Sequence, residues 1–138
     1  MTHIIQLEGT DKQLYPLIGP LVMNPDVLRY NNRYPFKTGK KFRWYIAVNK
    51  QNEAIGFIPI ENKASECLIN NYYAQKEGHD EILTDLLQTV CADYTGDTPH
   101  LTALVQTVHK ELFIRLGFST IKEWKLYIKM GKNERDNS

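Results

Sequence analysis

Apolar residues recur along this chain in two rhythms, and the change from one to the other outlines the elements. Ile4, Ile5 and Leu7 predict a short first strand that ends at Gly9. Thr10 or Asp11 can cap a helix whose apolar face is Leu14, Leu17, Ile18 and Leu21, made irregular by Pro16 and Pro20. Asn24-Pro25 is a second start signal, a capping residue followed by proline at the first helical position. That helix should run through Val27, Leu28 and Tyr30 and stop before Pro35. The aromatic and β-branched run Trp44–Val48, the polar turn Asn49–Glu53 and the apolar run Ala54–Ile60 then read as an antiparallel hairpin. Pro59 marks an edge, a bulge or a strand end.

A further turn at Asn62–Ser65 leads into a third strand of the same meander, Glu66–Ala74. Its paired asparagines and tyrosines suit a bulge or a local splaying. The polar loop Gln75–Asp80 follows. Beyond it Ile82, Leu83, Leu86, Leu87 and Val90 form the stripe of a core-facing helix. Gly96–Pro99 breaks the helix, and Leu101–Val105 is a strand, parallel to the one before the helix if the crossover is right-handed. A second helix, Val108–Leu116, is stopped by Gly117. Ile121 and Trp124–Met130 give the last strands. The order is β-α-α-β-β-β-α-β-α-β, an α+β fold with a mixed, mostly antiparallel central sheet flanked by helices. Residues 1–131 are expected to form one domain, and 132–138 a polar tail.

Composition narrows the functional classes. The chain has 138 residues, 42% apolar and 24% charged, with a net charge of +1. No strong field draws it to nucleic acid or to a membrane surface. The basic aromatic stretch Lys37, Lys40, Lys41, Phe42, Arg43 and Trp44 could contact RNA, but reads first as a solvated turn before a strand. The longest apolar run is too short to cross a bilayer. Cys67 and Cys91 stand alone, which fits a reducing compartment, and a cytoplasmic protein is expected. The histidines show no ligand spacing, so no metal site is expected.

A strand that feeds a glycine-containing loop onto a helix start is a ready-made anion site, because the first turn leaves backbone N–H groups unpaired. Here the loop is Gln75-Lys76-Glu77-Gly78-His79-Asp80. It is similar to the pyrophosphate loop Q/R-x-x-G-x-G/A of the GNAT superfamily of acyl-CoA-dependent N-acetyltransferases. Phe113-Ile114-Arg115-Leu116-Gly117-Phe118 resembles the F/Y-x-K-x-G-F helix ending of that family. The hairpin WYIAVNKQNEAIGFIPIEN resembles its meander.

The resemblance covers about Trp44 to Met130 and implies transfer of an acetyl group from acetyl-CoA to a primary amine of a small molecule or peptide. It implies that backbone around Asn70, Asn71, Tyr72 and Tyr73, with Gln75, Lys76, Glu77, Gly78, His79 and Asp80, holds the coenzyme. Glu66 is the first candidate for the base and Glu61 the second. Tyr30 and Tyr34 would line the acceptor side, and His109 and Lys110 could touch the adenine or phosphate end of the coenzyme but read first as solvated residues. Two positions depart from the family pattern. Asp80 replaces the usual Gly or Ala, and Phe113 replaces the tyrosine that protonates the leaving thiolate. Those departures suit an alternative, a GNAT-like module that binds CoA or a protein without turnover. The exposed last strands could pair two copies into a homodimer.

Overall fold

A computed structural model describes residues 3–94 and 100–133. The elements are β1 (His3–Glu8), α1 (Leu14–Val22), α2 (Pro25–Tyr30), β2 (Phe42–Val48), β3 (Ala54–Asn62), β4 (Glu66–Ile69), β5 (Tyr73–Ala74), α3 (His79–Asp93), β6 (His100–Gln106), α4 (Lys110–Arg115), β7 (Phe118–Glu123) and β8 (Tyr127–Lys132). A single 3₁₀ turn, Thr107–His109, leads into α4. The break expected at Gly96–Pro99 lies outside the described residues. So does the tail beyond Asn133, while Lys132 belongs to β8.

Local signals account for most boundaries. Asn24 accepts the Asp26 N–H at 2.8 Å and Pro25 opens α2, as the capping pattern predicts. At α1 the expectation is corrected. Asp11 does not cap the helix directly but accepts the Gln13 N–H at 2.8 Å, and the helix begins at Leu14. Gly117, at φ 93°, ends α4 in the left-handed region that glycine takes without strain.

The strands form one sheet in the order β1-β2-β3-β4-β6-β8-β7, with β5 attached to β3. All pairings are antiparallel except β4 with β6, which α3 connects as the predicted parallel crossover. Helices cover both faces. Tyr45, Ala47, Ile58, Ile60 and Ile69 pack with Leu83, Leu86, Leu87 and Val90 of α3 and with Leu112 and Phe113 of α4. Trp44, Ile46, Val48 and Phe57 pack on the opposite face with Leu14 and Ile18 of α1 and Val27 of α2. This explains why Trp44–Val48 is apolar without alternation: a strand covered on both faces must be apolar at every position.

The third strand of the meander is not continuous. Ile60 faces Ile69 and Phe57 faces Tyr73, so Asn70, Asn71 and Tyr72 oppose only Ile58 and Pro59. One strand carries one residue more than its partner, which is a bulge. Pro59 has no N–H to give the ladder there. Asn71 takes φ 55°, which asparagine tolerates better than most residues. Past the bulge β5 stays with β3, whereas β6 has paired with β4 only through Ile69. The expected splaying is therefore real.

Gly56 seats β5. A Cβ there would lie 2.9 Å from the Tyr73 carbonyl oxygen and 3.0 Å from Ile82 Cγ2. Gly56→Ala is expected to destabilise the fold by about 1–3 kcal/mol through overpacking, seen as a lower urea midpoint at constant slope.

Candidate functional site

The parting of β5 from β6 lies beside the first turn of α3. Gly78 is the N-cap of that helix at φ 72°, and a Cβ there would meet only Ile82 Cδ1, at 3.8 Å. The approach to the helix start is therefore open. The His79 N–H reaches back to the Lys76 carbonyl at 3.3 Å, while the next N–H groups have no partner four residues earlier. Gln75 folds onto its own loop, its Nε2 donating to the Glu77 carbonyl at 3.1 Å. Lys76, Glu77 and Gly78 are exposed. Asp80 stands in the first turn, but its carboxylate turns to His79 Nδ1 at 2.8 Å. That contact holds its pKa below the ordinary carboxylate value.

Behind the loop the parted strands enclose an aromatic cluster. Tyr72 is buried. Its hydroxyl accepts the Gln106 N–H from β6 at 3.0 Å and lies 2.7 Å from His109 Nδ1, so one side chain bridges the gap between the strands. Tyr30 meets Tyr73 and Tyr72 edge-on, with ring centroids 5.1 and 6.3 Å away. Its hydroxyl is 2.6 Å from His79 Nε2. His79 and His109 stack at 5.0 Å. Burial, helped by the neighbouring His79, pushes the His109 pKa down to about 4. Burial also raises the hydroxyls of Tyr30 and Tyr72 well above their ordinary value, so both stay protonated.

Three amides brace the gap from the acceptor side. Asn31 Nδ2 donates to the Tyr72 carbonyl at 3.0 Å, and Asn71 Nδ2 to the Pro35 carbonyl at 2.8 Å. Tyr127 of β8 donates to the Asn31 carbonyl at 3.2 Å and receives Asn32 Nδ2 at 3.1 Å. Gln106 is 8% exposed and its Nε2 has no hydrogen-bond partner. A buried amide donor left unpaired is costly in a dry interior, and this one stands at the end of β6 where the strands part.

Tyr30, Tyr72, Tyr73, His79 and Asp80 thus come together. Glu66 lies elsewhere, at the far end of β4. Four residues of extended chain, about 13 Å, separate it from the bulge. Thr102 donates a hydrogen bond to it and Lys129 Nζ stands at 2.9 Å. The Thr102 bond first, then the lysine, holds its pKa below the ordinary glutamate value, the opposite of the raised value a base would need. Glu61 is half-buried on β3 opposite Leu68, before the bulge. Tyr34 is exposed and meets Tyr127 at 5.8 Å, away from the histidines. Phe113 is buried against Tyr72 and Phe118. The basic stretch is tied to β1: Arg43 pairs with Glu8 at 2.9 Å, and Thr38 donates to the Gly9 carbonyl at 2.8 Å. Among the described residues no three His, Cys, Asp or Glu side chains gather as metal ligands, and no helix is long and apolar enough to cross a membrane.

Sequence reading expected His109 to be solvated, or at most to touch the coenzyme, and did not single out Asn31 or Gln106. His109 had a usable signal, because it precedes Phe113 by four residues and so shares its helix face. Gln106 had none, since only the strand pairing brings it to the gap.

No protein-family model matches the sequence, and no curated protein matches it. Solved structures do. The E. coli protein ElaA superposes with a TM-score of 0.75 at 16% identity, over 96% of this chain and all of its own. The ribosomal-protein-S18-alanine N-acetyltransferase of E. coli gives 0.70 at 12% identity, over 100% of this chain and 97% of its own. The PaiA N-acetyltransferase of Thermoplasma acidophilum, solved in complex with coenzyme A, gives 0.66 at 14% identity, over 96% and 99%. The chain has the GNAT acetyltransferase fold.

Two outcomes follow from the cluster. Tyr72→Phe keeps the ring but leaves the Gln106 N–H unpaired, and is expected to cost about 1–3 kcal/mol in chemical denaturation. His109 is neutral when folded but binds a proton when unfolded below its ordinary pKa of about 6.5. Acid therefore favours the unfolded chain, and stability should fall as pH drops from about 6.5 towards about 4. His109→Gln should flatten that part of the stability–pH curve.

Proposed function

We propose that this protein is an N-acyltransferase that moves an acetyl group from acetyl-CoA to a primary amine. The observation that carries the reading is the departure of β5 from β6 directly ahead of the Gly78-capped start of α3. A pyrophosphate would meet the first-turn N–H groups of α3 and the exposed Lys76, with Gly78 leaving room for its approach. The thioester arm would run into the gap between the strands. There main-chain N–H groups near Asn71–Tyr73 and the unpaired Gln106 amide could polarise its carbonyl. The bound coenzyme complex of the PaiA neighbour supports CoA as the acyl carrier. The acceptor would enter from the α2 side, past Tyr30 and the Asn31–Pro35 segment.

The second reading, a CoA- or protein-binding module without turnover, has its own support. Phe113 cannot donate a proton, and the Tyr72 side chain bridges the gap that the thioester arm would need.

Thermal denaturation tests the shared part of both readings. Acetyl-CoA at about 100 times its Kd should add about 2.7 kcal/mol of stability, and Gly78→Val should abolish the rise in Tm. No shift with millimolar acetyl-CoA would remove both readings. Thiol release over a panel of primary amines separates them: turnover supports the enzyme, and binding without turnover the module.

A further inference from the structure

We infer that Asp80, His79 and Tyr30 form a proton relay across the gap between the parted strands, taking the proton of the attacking amine in place of a glutamate base. The inference rests on the acyl-transfer reading and names its base.

Placement is the first argument. Val27 of α2 packs with Trp44 and Phe57 on one face of the sheet. Tyr30, three residues on, packs with the cluster of the opposite face. Its side chain therefore passes from the acceptor face towards the coenzyme face where β5 has left β6. Its hydroxyl ends 2.6 Å from the first residue of α3, beside the proposed pyrophosphate loop. A group that removes a proton from the amine must reach this passage from the acceptor side. Glu66, at the other end of β4 and paired with Lys129, does not.

Hydrogen-bond logic is the second argument. An ionised carboxylate only accepts, so Asp80 fixes the proton of His79 on Nδ1. Nε2 is then an acceptor and takes the Tyr30 hydroxyl proton. The lone pairs of the Tyr30 oxygen remain for an incoming N–H. Tyr72 is not equivalent, because its oxygen is buried, receives the Gln106 N–H and is tied to His109.

The step balances. The amine nitrogen bonds to the thioester carbonyl carbon. Its proton passes to Tyr30 Oη as the tyrosine's own proton moves to His79 Nε2. The C–S bond breaks and the thiolate leaves, taking the proton back from the imidazolium to depart as thiol. Asp80 stabilises the imidazolium while it exists. The groups that face His79 are Asp80 on α3, Tyr30 on α2, and His109 before α4, while Arg115 on α4 acts on Asp80. His109 is neutral above about pH 4, so its stacked ring does not oppose the arriving proton.

Two measurements test the relay. ¹⁵N-histidine NMR should show His79 as the Nδ1–H tautomer, with Asp80→Asn shifting the population towards Nε2–H. In steady-state kinetics Tyr30→Phe, which keeps the ring contacts, and His79→Gln should each lower kcat about a hundredfold or more. In Tyr30→Phe, KM for acetyl-CoA should change little. Active wild-type protein whose two variants keep kcat overturns the relay alone. So does an Nε2–H tautomer at His79 in the wild type. Wild-type protein that binds acetyl-CoA but acylates no amine overturns the acyl-transfer reading and this role with it.

Discussion

One unmatched residue governs the site. Between Ile60–Ile69 and Phe57–Tyr73 the edge of β3 offers two residues to three, and the surplus must leave the ladder. The backbone turns through Asn71 in a left-handed conformation, and β5 emerges attached to β3 but free of β6. A sheet interior would otherwise pair every N–H and C=O at this depth. Parting the strands creates unpaired main chain inside the protein, which something must satisfy. Asn31 meets the Tyr72 carbonyl, and the Tyr72 hydroxyl meets the Gln106 N–H.

The rest of the fold holds that opening in place. A strand pair forced apart by a bulge would close or slip if its flanks were loose. Here β2 and β3 are buried on both faces, and α3 presses Ile82, Leu83, Leu86 and Leu87 onto the sheet beside β5. Gly56 lets α3 and β5 approach β3 more closely than any side chain would allow. The same packing fixes the start of α3 against the gap. An anion at the helix start and a group in the gap are thereby presented to one another.

Ionisable groups separate according to surroundings. Glu66 is paired and hydrogen-bonded, which favours its charged form and makes it a weak base. His109 is buried and stays neutral. His79 lies between an exposed carboxylate at Nδ1 and a part-buried hydroxyl at Nε2. Glu66 opens β4 and His79 opens α3, so the carboxylate and the imidazole stand on opposite sides of the bulge.

Local physics was legible in the sequence. Asn24-Pro25 announces α2, Gly117 ends α4, the aromatic and β-branched run Trp44–Val48 announces a strand, and the stripe from Ile82 to Val90 announces α3. Each depends on residues a few positions apart, where backbone preference and periodicity act directly. The Asn-Asn-Tyr-Tyr run even signalled a splayed strand, because Asn tolerates the left-handed turn and Pro59 weakens the ladder opposite. Which side chains meet across the opening was decided only by the tertiary structure. Tyr30 and His79 are 49 positions apart, and Tyr72 and His109 are 37 apart. Glu66 looked suitable because it leads towards the loop, but Lys129 and Thr102 reach it from strands that sequence order does not place beside it. Strand order and helix docking bring such partners together, and no local preference encodes that choice.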